Sequence, residues 1–178
     1  GDFDVESFKA LIKEQLDGLE VDQPYVRVDR PAHPEIPGSL EAIETPDKEN
    51  AVYRASLQVN LSDSDPDYAA LELGNFILGG GSLSSRLGNR VRQQEGLSYG
   101  IASYTLPRSK DSRVDFTVAA ITNPGKKDRL IEVINEELIR IREEGITETE
   151  LKEAKAAYLQ AARVRRSDDG ALNQELLS

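Results

Sequence analysis

Five of the eight prolines, Pro24, Pro31, Pro34, Pro37 and Pro46, fall inside one stretch, and no other feature limits the fold as much. Each proline fixes φ and lacks an amide hydrogen, so neither a long helix nor a central strand can run through it. Residues 21–50 therefore read as an extended connector, with Val26 and Val28 alternating with charge as a candidate edge strand. The connector parts an N-terminal helix in residues 1–20 from a core in residues 51–178. In the first part Asp4 stands at an N-cap position, and Phe8, Leu11, Ile12 and Leu16 share one helical stripe. Gly18 suits the exit.

Regular patterning begins after the connector. From Ala51 to Leu61 apolar and polar residues alternate, the signature of a strand buried on one side. Asp65-Pro66 opens a helix that continues through Leu78 and stops at Gly79-Gly80-Gly81. A short helix follows with Leu83, Leu87 and Val91 at four-residue spacing. Leu97–Leu106 and Arg113–Ile121 read as a hairpin turning through Pro107–Ser112. Asn123-Pro124 begins a long helix with Leu130, Ile131, Ile134, Leu138 and Ile141 on its inner stripe. Thr147 and Glu150 form an S/T-x-x-E capping box for a last helix through Tyr158 and Ala162. This order predicts an α+β fold: one antiparallel sheet with helices packed on one face.

Composition removes several function classes. There is no cysteine, so disulfides, thiolate zinc sites and cysteine nucleophiles are out. The formal net charge is −10, from 22 basic and 32 acidic residues, which disfavours a nucleic-acid partner. No apolar run reaches the roughly 18–20 residues that span a bilayer. His33 is the single histidine and lies in the connector, so no metal site is expected in this chain. Asp63, Asp65 and Asp67 imitate a calcium loop, but Tyr68 and Gly74 stand where its glycine and glutamate belong. The glycines Gly79 to Gly81 leave a helix and precede no G-K-[ST], so they make no phosphate loop. The compartment stays open between periplasmic or secreted and cytoplasmic. The lack of any methionine suggests a processed product or a piece of a longer polypeptide.

One block stands out: LGGGSLSSRLGNRVRQQEGLSYGIASY, from Leu78 to Tyr104. Arg92 closes a helix and Tyr99, seven positions on, opens a strand, with Gly96 between them. If the chain turns sharply at Gly96, a guanidinium and a phenol converge and can together hold a carbonyl oxygen as it gains charge. The competing reading pairs Arg92 with Glu95 and makes Tyr99 a half-buried piece of sheet.

The block resembles the noncatalytic half of the pitrilysin/insulinase family of zinc metallopeptidases, whose zinc motif is the inverted H-x-x-E-H. The resemblance rests on the glycine-ended helix, on Ser85-Arg86-Leu87, and on Val91 to Tyr99 as V-R-x-x-x-G-L-x-Y. Gly1-Asp2-Phe3-Asp4 and Gly145-Ile146-Thr147 with Glu148 and Glu150 extend it over most of the chain. It implies a substrate-holding segment of a zinc endopeptidase, with Arg92 and Tyr99 on the carbonyl beside the scissile bond. It also implies substrate contact by Gly79, Gly80, Gly81 and Ser82. The implied partners are a peptide and a catalytic half, fused or separate, that carries H-x-x-E-H and the zinc. This chain has no such motif, so it is expected to bind no zinc and to be inactive alone. The alternatives are a non-proteolytic scaffold subunit of the same fold, as in respiratory core proteins, or a generic α+β binding module.

Overall fold

The computed structural model describes residues 2–20, 22–81 and 84–177; Gly1, Val21, Ser82, Leu83 and Ser178, all named or bounded in the readings above, lie outside the described residues. Helix α1 (Val5–Leu16) begins at Asp4, whose carboxylate accepts from the Ser7 amide at 2.8 Å. Its stripe of Phe8, Leu11, Ile12 and Leu16 stays exposed, and no α1 residue is buried. Residues 22–50 form no strand, so the edge strand expected at Val26 and Val28 is absent. The physical reason is visible in the side chains. Both valines stand exposed, while Arg27 between them reaches the distant Asp111, whose carboxylate also accepts from the Arg30 amide.

The sheet holds β1 (Ala51–Val59), β2 (Gly100–Pro107) and β3 (Val114–Thr122) in the order β1-β3-β2, all antiparallel. The hairpin is as expected, and its register pairs Gly100 with Ile121 and Ser103 with Val118. On the other side Val52 pairs with Ile121 and Ala55 with Val118. Side chains alternate across a strand, so Tyr53, Ala55, Val118, Ala120, Ile101 and Ser103 share one face.

Helices cover that face. Helix α2 (Tyr68–Asn75) passes without a break into a π turn (Phe76–Gly80), closed by the Gly81 amide on the Phe76 carbonyl at 2.7 Å. A second π segment spans Gly88–Gln94. A 3-10 turn (Pro124–Lys126) capped by Asn123 leads into α3 (Lys127–Glu144). Helix α4 (Glu148–Arg165) starts with the complete capping box of Thr147 and Glu150, and α5 (Asp169–Leu177) follows. The core joins Leu78, Leu87, Val91 and Leu97 to Val118 and Ala120 of the sheet and to Leu130, Val133 and Ile134 of α3. Burial at the last three follows the 3.6-residue period of α3.

Candidate functional site

The segment from Arg90 to Gly100 is built around one tight turn. The Leu97 amide donates to the Val91 carbonyl at 2.9 Å, and Gly96 between them has φ +58°, the left-handed region that glycine enters without a Cβ penalty. Side chains from the neighbouring elements then fix the turn. The Lys126 ammonium donates to the Gly96 carbonyl at 3.0 Å, and the Thr122 hydroxyl to the Leu97 carbonyl at 2.6 Å. The Ser98 hydroxyl donates to the Ile121 carbonyl at 2.6 Å and accepts from the Gly100 amide at 3.1 Å. Leu97 and Ser98 are buried by these ties. Tyr99, next in the chain, is 93% exposed.

Arg92 lies in the last turn of the second π segment and is half-buried. The structure thus puts Arg92 and Tyr99 on the two limbs of one closed turn, one residue after Val91 and two after Leu97. Glu95, the acid offered as Arg92's competing partner, is engaged by Arg90 at 2.8 Å and Arg129 at 2.7 Å. Arg129 is the larger cause holding its carboxyl below the usual range. Tyr99 is not half-buried sheet: it precedes β2 and faces solvent.

The glycines sit elsewhere. Gly79 is buried, and a Cβ there would stand 2.5 Å from the Ser103 Oγ and 2.6 Å from the Ser103 amide nitrogen. Gly81 would meet the Phe76 carbonyl at 2.5 Å, so both positions serve close approach of backbones. Gly80 is exposed and lines a cavity of about 390 Å³ with Glu72, Asn75, Ser103 and Tyr158. Ser103 is four residues beyond Tyr99, so this cluster stands roughly 13 Å along the chain from the Arg/Tyr turn. Ser82 lies outside the described residues.

Sequence reading missed Arg86 as the tie that holds this region. Its guanidinium, 9% exposed, grips Glu150 bidentately at 2.7 and 2.9 Å and donates to the Gly145 carbonyl at 2.8 Å. This bond, more than the capping contacts from Thr147, draws the Glu150 carboxyl down to about 2. The buried Nη1 of Arg86 has no hydrogen-bond partner. The S-R-L and G-I-T-x-x-E elements are therefore two ends of one ion pair. Their separate appearance in the sequence was the only available signal.

No group of three or more His, Asp or Glu residues among the described residues could hold a metal ion. His33 hydrogen-bonds to Glu35 in the connector. The donor set here does not fit zinc. Nor is any helix among the described residues long and apolar enough to cross a membrane.

Comparison with known proteins gives consistent results. The family model described as the peptidase M16 inactive domain matches residues 1–158. The uncharacterized zinc protease YmxG of Bacillus subtilis is 35% identical over 88 residues, covering 49% of this chain and 20% of that protein. The crystal structure of a peptidase M16 inactive domain from Pseudomonas fluorescens is similar with a TM-score of 0.65 at 26% identity, over 89% of this chain and 37% of that one. A chain of complex III2 from Candida albicans has the same fold, with a TM-score of 0.63 at 15% identity over 99% of this chain and 42% of that one. The chain thus spans about a fifth of the curated relative it matches.

Proposed function

The chain belongs to the peptidase M16 inactive-domain family, and from that membership we propose that it is the substrate-holding part of a zinc-dependent endopeptidase. In this reading the Arg92 guanidinium and the Tyr99 hydroxyl donate to a peptide carbonyl beside the scissile bond. A guanidinium and a phenol hydroxyl donate without a base, so they bind the oxygen more tightly as negative charge develops on it. The metal belongs to a catalytic half carrying H-x-x-E-H, fused or separate. This chain supplies position and charge stabilisation only.

The observation that carries the proposal is the exposure of Tyr99 on a turn fixed by four side-chain bonds. An exposed tyrosine of no function gains nothing from such rigidity, whereas a donor aimed at a transition state does, because its orientation is fixed in advance. The test uses the complete protease, assembled from this chain and its catalytic half. Arg92→Lys and Tyr99→Phe should each lower kcat/KM for peptides by about tenfold to a thousandfold, with Tm unchanged for the exposed Tyr99→Phe. Unchanged kinetics in both variants would refute the mechanism.

A second reading, a scaffold subunit without proteolysis, is favoured by the fold shared with the complex III2 chain. It predicts that Tyr99→Phe leaves every measurable property of the assembled protein intact.

A further inference from the structure

The face of the sheet turned away from the helices carries a row of side chains that the proposed carbonyl-holding role does not use. Val52, Ile121 and Gly100 are cross-strand neighbours on that face, and Gly100 directly follows Tyr99 in the chain. Val52 is 75% and Ile121 54% exposed, a high value for aliphatic residues on adjacent strands. The next row holds Arg54, Ala119 and Ala102. Its floor is small, and Arg54 has no hydrogen-bond or ion-pair partner among the described residues, in a chain of net charge −10. A Cβ added at Gly100 would meet nothing within 4 Å, so the space beside Ile121 is open.

We propose that Val52 and Ile121 form an apolar shelf, and Arg54 an anion contact, for the peptide whose carbonyl Arg92 and Tyr99 hold. The occupant is an extended peptide with an aliphatic side chain near the held carbonyl and a carboxylate two residues further on. Spacing supports this choice. Residues i and i+2 of an extended peptide lie about 6.8 Å apart on one side, the same repeat that separates Val52 from Arg54 along β1. Charge supports it as well, since an exposed guanidinium without a partner is complementary to a carboxylate. The inference rests on the Arg92/Tyr99 reading for its anchor, but it concerns selectivity, which that reading leaves unspecified.

The experiment titrates the isotope-labelled 178-residue chain with the acetylated, amidated hexapeptide Ala-Leu-Ala-Asp-Ala-Ala, followed by amide chemical shifts. The concentration runs to about 5 mM, enough to occupy a site with a Kd near 1 mM. Shifts are expected at Val52, Arg54, Tyr99, Gly100 and Ile121. Replacing the peptide's leucine by alanine should weaken binding about threefold to tenfold, since an open shelf covers only part of the side chain. Replacing its aspartate by asparagine should weaken binding about twofold to threefold, and less in high salt. Ile121→Ser should erase the leucine preference alone, and Arg54→Gln the aspartate preference alone. Gly100→Val should fill the shelf and abolish both responses while leaving Tm unchanged. Equal binding of the leucine and alanine peptides, with Tyr99 responding to both, overturns this inference and leaves the carbonyl-holding reading standing. Leucine-dependent shifts that ignore Arg92→Lys and Tyr99→Phe overturn that reading and leave the shelf. A silent spectrum overturns the shelf.

Discussion

The Arg86–Glu150 pair offers a test of how the candidate site is held, because its two halves are unequally buried. Arg86 is 9% exposed and Glu150 31%. Glu150→Gln removes the carboxylate and leaves a charged guanidinium in a dry site, with the Gly145 carbonyl as its remaining strong acceptor. Breaking a buried pair in this way costs about 3–5 kcal/mol. Partial access of solvent on the Glu150 side lowers the expectation to about 2–4 kcal/mol. Arg86→Leu leaves instead a carboxylate that still accepts from the Thr147 amide and hydroxyl at 2.9 and 2.8 Å, and it also removes the orphaned Nη1. That change should cost only about 1–2 kcal/mol. Urea unfolding followed by circular dichroism measures both, and the Glu150→Gln variant should lose about 5–12 °C in Tm. The pH dependence provides a second check. Glu150 has its carboxyl drawn from 4.5 to about 2 in the folded chain, so between those values the unfolded chain binds more protons. Stability from the pair is therefore complete above pH 4.5 and is lost as pH falls towards 2, so the gap between parent and variant should close over that window. Arg86→Leu costing more than Glu150→Gln, or a gap independent of pH, would refute the reasoning.

Other perturbations probe separate parts of the fold. Gly79→Ala places a Cβ against the Ser103 backbone and should cost about 1–3 kcal/mol by overpacking, read from urea midpoints. Gly96→Ala meets no atom within 4 Å but must hold φ +58°, so it should cost about 1–2 kcal/mol, read from urea midpoints, and under the proposed function it should also lower kcat/KM by shifting Tyr99. Gly100→Ala, which is not held at positive φ, serves as the stability control and should change Tm by less than about 2 °C. Leu130→Ala, in a fully buried position against the sheet, should cost about 2–5 kcal/mol through the cavity it leaves.

Much of this architecture was legible before folding was considered. Alternation from Ala51 and the two-strand reading up to Ile121 gave the three strands, because a side chain's face follows from its parity along a strand. The capping box at Thr147 and the cap at Asp4 were read from residue type alone, since those bonds span only three residues. Longer-range facts were not legible. The two π segments have no sequence signature, and α5 went unrecognised because its short apolar run lacks a clear stripe. Val26 and Val28 had the alternation of a strand but found no backbone to pair with, and a lone strand has no ladder to stabilise it.

The sequence by itself determined the glycine at position 96, the spacing of Arg92 and Tyr99 and the family to which the block belongs. Each depends on residue identity or on neighbours a few positions away. Tertiary structure alone decided which of these residues reach solvent. Tyr99 stands out because Leu97 and Ser98 are tied to Thr122 and Ile121, more than twenty positions on, and Glu95 is drawn to Arg90 and Arg129. The same long-range pairing set Val52 and Ile121 side by side, and it joined Arg86 to Glu150 across 64 residues. Contacts at such separation are fixed by strand register and helix packing, which no local pattern encodes.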